Sequence, residues 1–193
     1  MIRFRAEVKF WPPSVEEARP SRCSLCGVAA YDGLRVVLHG HGLSGRGQRG
    51  PREPGGEPVC EEFLARRYRC TACTTVLRVL LASGVARKHF SGAAIALALT
   101  LWGLCGNSAR QVRELVSDQK KLGACARGWL SLERWAREVA AGRLFAGLGL
   151  KGFAGTPREV AARAAQALIG WAPLAAQESA PEAAAFTGAS YVS

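Results

Sequence analysis

Two cysteine pairs share one spacing, Cys23-Ser24-Leu25-Cys26 and Cys70-Thr71-Ala72-Cys73. A C-x2-C unit can fold as a tight knuckle whose thiolates converge on one metal ion. Two knuckles complete a tetrahedral shell of four sulfurs, a soft donor set that selects zinc, or less often iron, over oxygen-seeking ions. Such a shell leaves no open position for water, so the spacing predicts one structural Zn2+ held by Cys23, Cys26, Cys70 and Cys73. The opposing reading is a set of buried thiols that binds nothing. Cys60 could stand in for a knuckle ligand but has no partner at knuckle spacing. His39-Gly40-His41 resembles a metal pair; with four cysteines already filling the shell, a turn or a phosphate-facing role fits it better. Cys105 and Cys125 read as small apolar residues near helix ends, and His89, beside Arg87 and Lys88, as a surface residue.

The elements that must position these cysteines are short strands. Phe4, Ala6, Val8 and Phe10 alternate before Pro12-Pro13 ends the pattern, which predicts a short N-terminal strand or arm over 1–22. Leu34 to Leu38 reads as a strand after the first knuckle. Glu62 to Arg69 enters the second knuckle and Thr75 to Leu80 leaves it. Strand, knuckle, strand is the layout of a zinc ribbon, placed at 23–82. The 43 residues between Cys26 and Cys70 are many for a ribbon. Most of the excess falls in 40–58, rich in Gly, Pro and Arg, which reads as a flexible basic loop.

Beyond residue 90 the apolar period becomes helical. Ser91 can cap a helix carrying Ile95, Leu97, Leu99, Leu101 and Trp102, apolar nearly all round and therefore buried, with Gly103 and Gly106 ending it. Asn107 or Ser108 caps a second helix with Val112, Leu115 and Val116 on one face. A loop with Lys120, Lys121 and Gly123 follows, then a third helix capped by Ser131 with Leu132, Trp135 and Val139 inward. These occupy 91–145. A further helix begins near Pro157 within 146–172, and the Ala-rich 173–193 reads as a flexible tail. The fold class expected is therefore α+β, a small zinc-ribbon β module followed by an all-α helical domain resembling a helix-turn-helix.

The chain has 193 residues, enough for one sizeable core or two small modules, with 26 Lys and Arg against 15 Asp and Glu, a net charge of +11. That excess favours densely anionic partners, with DNA, RNA and anionic membrane surfaces as candidates. A basic composition inherited from an arginine-rich genome is the plainer account. The N-terminus carries charge where a secretion signal would be apolar, and the apolar run Ala93–Leu104 is shorter than the roughly 20 residues a bilayer requires. A reducing, cytoplasmic setting is the expectation, in which paired cysteines are metal ligands rather than disulfides.

Three successive helices with a polar-capped turn suggest a helix-turn-helix whose third helix reads DNA through Ser131, Arg134 and Arg137, with Glu138 also outward and Trp135 packed inward. Arg110 and Arg113 on the second helix, and Arg66, Arg67 and Arg69 before the second knuckle, add phosphate contacts. The plainer account is a helical bundle with a wet arginine surface. The link from Asp118 to Leu130 is far longer than a tight turn.

The order Trp11-Pro12-Pro13, Arg22-Cys23-x-x-Cys26-Gly27, His39-Gly40-His41, Arg66-Arg67-Tyr68-Arg69-Cys70-x-x-Cys73 and Ser131-Leu132-x-Arg134-Trp135 resembles one family. It is similar to the N-terminal zinc-ribbon and helix-turn-helix region of bacterial insertion-sequence transposases and their stand-alone relatives, over roughly residues 10–145. The resemblance implies DNA binding at transposon ends, with Cys23, Cys26, Cys70 and Cys73 as zinc ligands and a separate transposase catalytic subunit as a partner. Transposases of this kind cut DNA with three carboxylates holding two metal ions. This chain has only two aspartates, Asp32 and Asp118, and no motif for phosphate cradling, metalloprotease or nucleophilic chemistry. The expectation is a non-catalytic zinc-stabilised DNA-binding protein related to a mobile element. A transcriptional regulator of the same architecture and a zinc-stabilised protein-interaction module are the alternatives.

Overall fold

The computed structural model describes residues 2–4, 12–81, 85, 88–118 and 129–192. The chain is mixed α+β and divides into two compact units, 1–48 with 61–87 and 49–60 with 88–193. Among the described residues no helix is long and apolar enough to cross a membrane.

The first unit is built on a four-stranded sheet in the order β1-β6-β5-β4, from β1 (Ile2–Phe4), β4 (Leu38–Gly50), β5 (Val59–Cys70) and β6 (Val76–Leu81). β1 lies parallel to β6, and β5 runs antiparallel to β6 with Arg67 opposite Arg78 and Tyr68 opposite Leu77. A two-stranded hairpin, β2 (Tyr31–Asp32) and β3 (Arg35–Val36), lies outside that sheet. Ala18, Cys23, Ala30, Val37, Leu38, Tyr68, Cys70, Leu77 and Val79 form the buried cluster. Tyr68 is fully buried, and its hydroxyl donates to the Val15 carbonyl at 2.6 Å, so the ring's polar end is satisfied.

Two expectations fail here. The strand foreseen at Leu34–Leu38 is split: β3 ends at Val36 and β4 begins at Leu38, because Val37 instead ties to Ala30 by a 2.8 Å backbone bond. The segment 40–58, expected as a flexible loop, is strand as far as Gly50 and loop only beyond it. Its glycines give β4 no side-chain pattern, yet they leave room for neighbours. A Cβ on Gly40 would meet Val15 at 2.9 Å and one on Gly45 would meet Glu62 at 2.2 Å. The N-terminal alternation is strand at Ile2–Phe4; Ala6, Val8 and Phe10 lie outside the described residues.

The second unit gathers helices around α1 (Gly92–Gly103), which packs on α2 (Ala109–Val116), α3 (Leu130–Ala140), α4 (Pro157–Gly170) and α6 (Pro181–Gly188). α1 buries Ile95, Leu97, Leu99 and Leu101, as its all-round apolarity requires. Ser91 caps it, Ser108 forms a capping box with Gln111 on α2, and Thr156 forms one with Glu159 ahead of Pro157 on α4. Arg158 donates to the Trp102 and Asn107 carbonyls at 3.0 and 3.3 Å, covering the free end of α1. Residues 49–60 belong with this unit: Arg49 exchanges backbone bonds with His89 and Ser91, and Pro51 is buried.

Ser131 does not cap α3. The helix starts at Leu130, with Trp129 at the cap position and no side-chain cap bond. An edge-to-face trio fixes that start: Trp129 meets Trp135 at 5.1 Å and Phe90 at 5.6 Å, and Phe90 meets Trp135 at 5.3 Å. Residues 173–193, expected as a flexible tail, hold α5 (Leu174–Gln177) and α6. Alanine is small enough to let α6 lie close on its neighbours: Ala184, Ala185 and Gly188 are buried, and a Cβ on Gly188 would meet the Leu168 carbonyl oxygen at 1.9 Å. The expected loop residues Lys120, Lys121 and Gly123, and Cys125, lie outside the described residues.

Candidate metal centre

The two knuckles repeat one backbone design. In the first, the Cys23 N–H donates to the Val28 carbonyl at 2.8 Å; in the second, the Cys70 N–H donates to the Thr75 carbonyl at 3.0 Å. Each chain then turns through the left-handed region immediately after its second cysteine, at Gly27 (φ +74°) and Thr74 (φ +60°). Glycine meets that conformation without strain, whereas Thr74 occupies it at a cost, its hydroxyl bonded to the Cys73 carbonyl at 2.7 Å. The second knuckle is also docked on the strand region before β4: the Thr71 N–H and hydroxyl both donate to the Val37 carbonyl, at 3.0 and 3.3 Å.

This repeated geometry brings the sulfurs of Cys23, Cys26, Cys70 and Cys73 within 4.8 Å of one another. Cys23 and Cys73 approach to 3.7 Å and Cys26 and Cys70 to 3.8 Å. A disulfide needs about 2.0 Å, so these are not bonded pairs. A regular tetrahedron with metal–sulfur bonds of about 2.3 Å sets its sulfurs about 3.8 Å apart. The four sulfurs therefore fit one metal ion, each knuckle supplying two ligands.

The electrostatics of Cys23, Cys26 and Cys73 agree with that use. Cys73 is lowered to about 6 by the Thr75 backbone N–H, then by the Thr75 hydroxyl, with the Cys26 and Cys70 sulfurs adding to the effect. The Cys26 backbone N–H is the largest cause holding Cys23 below its usual range. At Cys26 the Val28 N–H favours the thiolate, but burial and the sulfurs of Cys73, Cys23 and Cys70 outweigh it and push the thiol up to about 12. Some thiolates form readily here and the last one resists, because four negative sulfurs at this separation require a cation between them.

The other sequence-level candidates scatter. Cys60 lies exposed on β5 and is not part of the cluster. Cys105, expected as a small apolar residue, is exposed, with its sulfur 3.8 Å from the Glu182 carboxylate. His39 and His41 are exposed on β4, and His89 is exposed before α1. Arg66 donates through Nε to the Pro13 carbonyl and so braces the 12–20 segment. Arg67 is half-buried and Arg69 exposed. Arg110 pairs with Glu114 at 3.0 Å and Arg137 with Glu133 at 2.6 Å, each within its own helix. Arg113 and Ser131 are half-buried, and Arg134 is exposed on α3. Sequence reasoning missed Thr74, Val37 and Tyr68 as supports of the centre; only Gly27, directly after Cys26, carries a visible signal. No protein-family model matches the chain, and neither curated proteins nor solved structures yield a match.

Proposed function

We propose that this chain is a zinc-stabilised DNA-binding protein related to mobile elements, one that holds duplex DNA rather than cutting it. The convergence of four sulfurs at 3.7 and 3.8 Å across two equivalent knuckles carries this reading. A closed tetrahedral set of four thiolates suits zinc in a structural role, with no position left for a reacting water. Cys23, Cys26, Cys70 and Cys73 would hold the ion, and its chemistry would be to tie the ends of β5 and β6 to the first knuckle. The net charge of +11 supplies attraction to phosphates. On α3, a helix-turn-helix reader would have Arg134 outward, while Arg137 is already engaged by Glu133.

Binding to a labelled duplex, followed by fluorescence anisotropy across a salt series, tests this reading. Affinity should fall steeply as salt rises, because each neutralised phosphate releases counterion, and chelation should abolish it. An affinity that stays flat with salt contradicts DNA binding. One observation favours a protein-interaction module instead: Leu25 in the first knuckle and Leu34 at the β2–β3 turn are 68% and 104% exposed. In that case Leu25→Ser and Leu34→Ser would abolish partner capture, and duplex retention would be absent throughout.

A further inference from the structure

The sheet of the metal unit has a second face, turned away from the sulfur-bearing cluster. On β5, Tyr68 and Cys70 point into that cluster, so alternation places Arg67 and Arg69 on the opposite face. On β6, Leu77 and Val79 are in the cluster, which leaves Val76 and Arg78 outward. The strand register then sets Arg67 directly opposite Arg78, and Arg69 opposite Val76. On β4, Leu38 is in the cluster and the Gly40 Cβ position abuts Val15, so His39 between them turns outward; the left-handed Gly42 (φ +77°) then breaks the alternation, and His41 before it is exposed. Next along β4, a Cβ on Gly42 would stand 3.6 Å from the Arg67 guanidinium, which places that guanidinium beside β4.

Three adjacent strands thus present arginine and histidine on one surface. Among the described residues no carboxylate bonds or ion-pairs with Arg67, Arg69 or Arg78. Two like charges directly opposite in an antiparallel pair repel. The Arg67 Nε is moreover buried with no hydrogen-bond partner, an uncompensated cost in the free protein. Farther along β4, Arg46 donates to the Val85 carbonyl at 2.6 Å; burial, and then the charge of Arg78, lower its pKa. An anion laid across this face would relieve the repulsion and satisfy the buried donor at once.

We infer that this outer sheet face is where a nucleic acid is gripped, with Arg67, Arg69 and Arg78 contacting its phosphodiester backbone and His39 and His41 at the margin. The inference rests on the DNA-binding reading above and gives it a surface: the metal unit's sheet, rather than α3, supplies the backbone contacts. Because phosphates carry no sequence information, this face binds duplexes of any sequence alike.

The test uses the full chain and a labelled random-sequence duplex, with affinity measured across a salt series for wild type and for Arg67→Ala/Arg78→Ala. The double variant should keep the wild-type metal content, lose about tenfold or more in affinity, and show a log K against log salt slope reduced by about 2. A double variant with wild-type metal content, affinity and slope overturns the inference and leaves the DNA-binding reading standing. A wild-type chain that binds no duplex overturns both. If the double variant loses its metal, Arg78→Gln at an exposed position carries the test. Its slope should drop by about 1, and an unchanged slope overturns the inference.

Discussion

Around the four sulfurs the buried cluster is Ala18, Ala30, Val37, Leu38, Tyr68, Leu77 and Val79, together with Cys23 and Cys70 themselves. In the helical unit, α1 alone buries Ile95, Leu97, Leu99 and Leu101, and Val112, Val116, Leu132, Trp135, Val139 and Leu168 are buried in the helices around it. The first set is small, and two of its members belong to the four-sulfur group. The second is a conventional apolar core. Under the proposed reading the first unit would draw its stability from a coordination shell, whereas the second draws it from buried area.

Chelation should therefore separate the two units, and this is the largest effect expected. Removing the metal should cost the first unit most of its fold, since binding energies of about 10 kcal/mol or more are folding energy in sulfur-stapled modules. Hydrogen exchange resolved by segment would show β5 and β6 losing protection while α1 and α4 keep theirs. Equal loss in both units would erase the distinction.

Acid should act like chelation, and only on the first unit. Metal binding requires thiolates. In the metal-free protein Cys26 is held as a thiol up to about 12, so binding must displace its proton, and affinity rises with pH through neutrality. Cys73, lowered to about 6, favours the fold above its unfolded thiol pKa, and that contribution is lost as pH falls through about 6. Metal release followed by a chromogenic chelator should climb as pH drops, with helical circular dichroism nearly unchanged.

Leu99→Ala probes the other side of the comparison. This side chain is fully buried in α1, and the truncation should destabilise the helical unit by about 3 kcal/mol without changing metal content. Gly188→Ala is a smaller lesion of the same unit. Its Cβ would stand 1.9 Å from the Leu168 carbonyl oxygen, so α6 must shift, at about 1–3 kcal/mol in a thermal melt.

How much of this was legible depended on whether the cause was local. The knuckles were readable because chelation imposes a fixed short spacing on Cys23-x-x-Cys26 and Cys70-x-x-Cys73. The caps at Ser91 and Ser108 were readable because a side chain bonds a backbone N–H three residues on. β4 was not, since Gly40, Gly42, Gly45 and Gly47 carry no alternation and their extended state comes from the strand beside them. α6 was not, because its alanines matter only against α1 and α4. Ser131 misled for a related reason: Trp129 is held by Phe90 and Trp135, and that tertiary contact moves the helix start away from the better capping residue. The outward sheet face was half visible, in Arg67 and Arg69, while Arg78 joined it only through the register of β6.

Metal stoichiometry of the purified chain, measured by native mass spectrometry beside Cys70→Ser, bears most directly on the claim that four sulfurs hold one ion and the ion holds the unit. One zinc per wild-type chain, none in the variant, and a melting transition lost from the first unit alone are expected. A wild-type chain without metal, melting at the same temperature as Cys70→Ser, would contradict that claim.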